Sequence, residues 1–167
     1  MTAADAVNVG TRKLPDLGAA MAPFFQQLSS REQRLLLARI ERAAAGHYRE
    51  WAEGASEADR SGSLEAARGE DGIADTLESL DPGARTIEAA LQERFPEIEQ
   101  VYASALAGRT REDQVRIQAA GEVGAAALLR TFADAESDPE ARRRLQACAA
   151  TEESNATFLN GTLPGGR

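Results

Sequence analysis

The sequence predicts an all-α protein made of two αα-hairpins joined by a long helical crossover, and three observations lead there. The chain is rich in Ala, about one residue in five, and in Glu, Arg and Leu, while aromatics make up only 5%, a mixture that favours helix over strand. Helix punctuation recurs at regular intervals. An internal repeat relates the two halves, and such a repeat is the mark of a duplicated supersecondary unit. At 167 residues the chain suits one domain with a core of its own, without disulfides or metals as staples.

The elements follow in order. Residues 1–15 lack periodicity, end at Pro15 and form a loose N-terminal segment; residues 161–167 hold three glycines and a proline and form a flexible tail. The helical region between them is taken as residues 16–160. A first helix fits Leu17 to Leu28, with Pro23 as a kink. Ser29 and Glu32 make an S-x-x-E capping box for helix A, which runs to about Ala55. Helix B runs from about Ser61 to Leu80, and Asp81-Pro82 reads as the N-cap and first turn of the next segment. A connector of roughly 30 residues then holds two short helices separated at Phe95-Pro96. Thr110 with Asp113 opens helix C, to about Ala135. Ser137-Asp138-Pro139-Glu140 is a capping box with Pro inside it for helix D, to about Asn160.

The repeat joins these helices in pairs. Glu41, Tyr48-Arg49 and Trp51-Ala52 of helix A recur as Glu122, Leu129-Arg130 and Phe132-Ala133 of helix C, at an offset of 81 residues. Ala66-Ala67, Glu70-Asp71, Ala74 and Leu77 of helix B recur as Cys148-Ala149, Glu152-Glu153, Ala156 and Leu159 of helix D, at an offset of 82. Helices A and C, and helices B and D, are therefore expected to be related by a pseudo-two-fold rotation.

Each repeated glutamate lies on an apolar stripe, because spacings of three, four and seven share one helix face. Glu41 is in line with Leu37, Ala38, Ala45 and Tyr48, and Glu70 with Ala66, Ala67, Ile73, Ala74 and Leu77. Glu122 is in line with Val115, Ala119, Ala126 and Leu129, and Glu152 with Leu145, Cys148, Ala156 and Leu159. All four should point inward. Two like charges 4 Å apart repel by about 4 kcal/mol at an effective dielectric of 20, so a cation, shared protons or inward arginines must offset them. Of the basic residues, Arg34 alone falls near one of these stripes. A divalent metal pair bridged by carboxylates would solve the problem, and one Glu from each helix is the arrangement such sites use.

On these residues the sequence resembles the ferritin-like superfamily, and within it the rubrerythrin-like and ferritin-like di-iron proteins, over about residues 30–160. In that family the first and third helices each give a Glu, and the second and fourth each give a Glu-x-x-His. The resemblance matches Glu41 and Glu122 to the single glutamates, and Glu70 and Glu152 to the first residues of the two Glu-x-x-His motifs. Ile73 and Asn155 stand where the histidines would be. The resemblance thus implies a ferritin-like four-helix bundle with a carboxylate-only metal site at Glu41, Glu70, Glu122 and Glu152, taking iron or manganese for metal handling or oxidation. A non-catalytic bundle with a decayed site, working through a protein partner or as a homodimer, accounts for the same residues.

The rest of the sequence narrows the field. A net charge of −8 makes a poor phosphate-backbone binder, so nucleic acid is not expected as a partner. No apolar stretch approaches membrane-span length, and Asp5, Arg12, Lys13 and Asp16 interrupt any signal-peptide core; the expectation is a soluble, cytoplasmic, bacterial protein. One cysteine, Cys148, forms no internal disulfide, and the lone His47 supplies no zinc site. No phosphate loop, nucleophile elbow or Ser/His/Asp set is present, and no organic cofactor is indicated. Gly69 and Gly72 flank Glu70, and Gly121 and Gly124 flank Glu122; they read as close helix approach or as room beside the site. Tyr48, Trp51 and Cys148 read as core.

Overall fold

Four long helices carry the repeated segments. In the computed structural model, which describes residues 14–164, the chain forms α1 (Leu17–Phe25), α2 (Ser30–Ala52), α3 (Glu57–Ser79), α4 (Ala84–Arg94), α5 (Ile98–Leu106), α6 (Arg111–Ala135) and α7 (Pro139–Thr162). The described residues are helices and their links, with no strand. Most of the proposed loose N-terminal segment and the last three residues of the proposed tail lie outside the described residues. No helix among the described residues is long and apolar enough to cross a membrane.

Local chemistry places most boundaries. Ser29 accepts from the Glu32 amide while the Glu32 carboxylate accepts from the Ser29 amide at 2.8 Å, the reciprocal box that starts α2. Thr110 accepts from the Asp113 amide at 3.1 Å and starts α6. Several boundaries differ from the sequence expectation, and α1 and α2 stop at Phe25 and Ala52, three residues short of Leu28 and Ala55. Helix α3 begins four residues before Ser61, because Ser56 accepts from the Asp59 amide and caps it there; the left-handed φ of +75° at Gly54 turns the chain into that cap. Helix α7 is capped by Asp138, which accepts from the Ala141 amide at 3.0 Å, and not by Ser137; it also runs two residues past Asn160. Asp81 does not cap the connector. Arg31 grips its carboxylate, which also accepts from the Gly83 amide at 2.8 Å, and Gly83 takes the N-cap place of α4 without a side-chain bond. That ion pair ties the start of α2 to the end of α3.

The long helices pack α2 along α3 and α6 along α7, with α3 against α7 and α2 against α6. The stripes read from the sequence are buried on all four. Two apolar clusters fill this core, one around Leu37, Ile73, Leu77, Leu129 and Leu145, the other around Tyr48, Ala66, Val115, Ala119 and Leu159. Along α2 and α7 the chain passes from the first cluster to the second, and along α3 and α6 from the second to the first. Neighbouring helices are therefore antiparallel, while α3 and α6 share a direction. The connector must return the full length of the core, and α4 and α5 do so across α2. A third cluster, including Met21, Leu35, Leu91, Phe95, Ile98 and Ile117, seats α1, α4 and α5 on α2 and α6.

The α3–α7 contact makes a prediction about the glycines beside Glu70. A Cβ on Gly72 meets open space, whereas one on Gly69 lies 2.9 Å from the Thr151 methyl. Gly72→Ala should raise stability by about 0.5–1 kcal/mol through helix propensity, and Gly69→Ala should fall below it, as read by urea unfolding of both variants.

Candidate functional site

In each long helix the repeated glutamate stands between residues of the two clusters, so all four carboxylates lie at one level of the core. Each is at most 3% exposed, and Glu70 and Glu152 are wholly enclosed. One carboxylate oxygen from each of Glu41, Glu70 and Glu152 lies within 4.8 Å of the other two. Glu122, from α6, completes the set of four helices and is differently held: its Oε1 accepts from the Tyr48 hydroxyl at 2.8 Å and the Gln118 side-chain amide at 2.6 Å. Tyr102 of α5 donates in turn to Gln118 Oε1. On the opposite side Asn155 donates to Glu70 Oε1 at 2.7 Å.

After these bonds four oxygens, Glu41 Oε1, Glu70 Oε2 and both of Glu152, have no donor from outside the cluster, and protonated carboxyls can share hydrogen bonds within it, Glu41 with Glu70 and both Glu70 and Glu152 with Glu122. Arginine does not reach them. Among the described residues no ion pair involves the four glutamates, and Arg34 turns outward to Glu136 at 3.1 Å. Arg49 pairs with Asp71, and Arg130 with Glu153. His47 stays with Glu50, its Nδ1 3.2 Å from that carboxylate. Buried charge left in this state is expensive, and the carboxyls respond by holding protons. Burial, reinforced by the charge of Glu122, pushes Glu41 up to about 8. Burial also pushes Glu70 well above the usual carboxylate range, helped by Glu122 and Glu41, and Glu152 likewise, helped first by Glu41. The Tyr48 and Tyr102 hydroxyls are raised by burial and by Glu122, which keeps them as donors.

The four glutamates predicted from the repeat are thus brought together. Ile73, at one expected histidine position, lies in the apolar cluster with Leu77, while Asn155, at the other, joins the site through its amide nitrogen. Gln118 and Tyr102 were not read from the sequence. Gln118 carries a signal, since it stands one turn before Glu122 on the same face; Tyr102 carries none, because only the return of the connector brings it in. The glycine pairs divide in function. Gly69 and Gly121 allow close approach, to Thr151 and to Leu17, whereas Gly72 and Gly124 face open space.

No protein-family model, curated protein or solved structure matches this chain.

The raised carboxyls make metal-free stability depend on pH. A group at 4.5 when unfolded and about 8 when folded leaves the folded state holding the extra proton between those values. Its contribution costs nothing below about 4.5, grows at about 1.4 kcal/mol per pH unit per proton, and levels off above about 8. Chelator-treated protein should therefore lose stability from pH 5 to pH 8 in urea unfolding. Glu41→Gln should flatten that slope and be the more stable form at pH 8.

Proposed function

We propose that this chain is a ferritin-like four-helix bundle that holds iron or manganese at a carboxylate-only site formed by Glu41, Glu70, Glu122 and Glu152, and serves metal handling or oxidation. The observation that carries this reading is the set of four buried oxygens on Glu41, Glu70 and Glu152 that have no donor from outside the carboxylate cluster, converging from three helices with no basic side chain to answer them. Oxygen donors alone form a hard set, which suits Mn(II) and Fe(II) better than softer cations. The fit is one of donor chemistry: a divalent cation would satisfy the stranded oxygens and remove the need for the raised protonation.

The surrounding residues have definable parts in such a site. Tyr48 and Gln118 fix the direction of the Glu122 carboxylate, and Tyr102 fixes Gln118; partners of this kind commonly orient metal ligands. Asn155 holds one oxygen of Glu70 and leaves the other turned to the cluster. A bound iron or manganese ion would supply a Lewis-acidic, redox-capable centre. With Ile73 giving no donor, affinity should be below that of a bundle carrying both histidines.

A second reading, a decayed site in a non-catalytic bundle that works through a partner or a second copy, is favoured by one observation. Ile73 is packed as core, so half of the nitrogen donor set has been replaced by apolar contact. The two readings separate in an anaerobic thermal melt with Mn(II) or Fe(II). Metal at a hundredfold above its dissociation constant should stabilise the wild type by about 2.7 kcal/mol, and Glu152→Gln should abolish most of that gain, because both Glu152 oxygens are among the stranded ones. Absence of any rise at millimolar metal would leave the decayed site as the surviving account.

A further inference from the structure

Helix α6 carries on its outer side a row of residues that the bundle leaves uncovered. Arg116, Ala120, Val123, Ala127, Arg130 and Asp134 are all exposed, and their alternating spacing of four and three puts them on one face of the helix. Val123 stands in the middle, 59% exposed, and is the one large apolar side chain so exposed among the described residues. Between Arg116 and Arg130 the helix has a single charged residue, Glu122, and that one is buried in the core. The chain has a net charge of −8, and 28% of its residues are charged. Across this face two molecules can meet without bringing carboxylates together. Charge marks its ends instead. Arg116 has its own neighbour Glu112, at 2.7 Å with both side chains about half exposed, and Asp134, at the other end, has no ion pair among the described residues.

We infer that this face is the contact between two copies of the chain, packed α6 against α6 in antiparallel register about a two-fold axis. Such a contact uses the same patch twice, so the patch must complement itself. With the axis beside Ala125, Val123 lies against the partner's Ala127, Ala120 against the aliphatic stem of the partner's Arg130, and Arg116 against the partner's Asp134. Each pair occurs twice. A parallel arrangement would set Arg116 on Arg116 and Asp134 on Asp134, and like charges so placed repel. An apolar centre with charge at the rim is the usual anatomy of a protein interface. On the α1 side Gly121, Gly124 and Leu128 border an apolar cleft, which continues the uncharged surface beyond the row itself. The row spans roughly 27 Å at about 1.5 Å per residue, a modest contact, so the expected affinity is micromolar. The pairing rests on neither reading of the carboxylate layer, because no residue of the row belongs to it.

Sedimentation velocity of the full chain, from submicromolar to high micromolar concentration, tests the contact. The wild type should show a reversible monomer–dimer equilibrium. Val123→Lys should weaken it at least tenfold, with circular dichroism and the melting temperature in dilute solution unchanged, since the position is exposed. Asp134→Arg sets two arginines together and should also weaken the dimer, whereas adding Arg116→Asp should restore it by rebuilding both end pairs with their signs reversed. Stabilisation by Mn(II) should be the same in all of these variants. A chain that is monomeric at every concentration would overturn the proposal and leave the face to some other partner. A dimer indifferent to Val123→Lys would place the contact elsewhere and overturn it as well. Failure of the double exchange to rescue Asp134→Arg would overturn the antiparallel register.

Discussion

Four carboxylates buried at one level of the helices are the constraint around which the rest of the molecule is arranged. Taking a single charged carboxylate out of water costs several kcal/mol even after relaxation, and here Glu41, Glu70, Glu122 and Glu152 share one layer between two apolar clusters. A structure that tolerates this must give the oxygens donors, protons or cations. It gives donors selectively. From outside the layer Glu122 receives two and Glu70 one, whereas Glu152 receives none. The uneven supply is informative, because a layer meant only for packing would have been cheaper with apolar residues of similar volume.

The crossover contributes more than a return path. By running over α2 it brings Tyr102 to Gln118, so an element outside the four long helices secures the orientation of a carboxylate inside them. It also helps to seat α1 on α2 and α6, where the apolar third cluster stops short of the carboxylates and leaves an open cavity. The two sides of the layer are thereby unlike. Toward α3 and α7, Gly69 brings the helices together and Asn155 closes on Glu70; toward α1 and α6, a cleft of about 270 Å³ remains beside the layer. The symmetry of the repeat is broken at its centre, one side of the layer being closed and the other left with space.

Surface charge plays a separate part. Arginines that could have neutralised the layer are spent between helices, Arg42 on Asp75 and Glu78, Arg39 on Glu99 and Arg31 on Asp81. The Arg42 pairs are partly exposed and each contributes little, whereas Asp81 and the Arg39 side chain are largely buried; together these pairs tie α2 to α3, to the link that follows it and to α5.

The sequence by itself determined which residues turn inward. The positions of Glu41, Glu70, Glu122 and Glu152 on their stripes, the caps at Ser29 and Thr110, and the break at Phe95-Pro96 were all legible, because helix period and capping are local and repeat within a few residues. Other features were decided by tertiary structure. Asp81 reads as a cap until Arg31, 50 residues earlier, takes its carboxylate. Tyr102 is an ordinary apolar-stripe residue until the crossover lays it against Gln118. Which carboxylate oxygens are answered, and the cavity that reaches Glu41, follow from how distant helices pack. No local periodicity encodes those meetings, since the side chains that create them lie on segments joined only by the closed core.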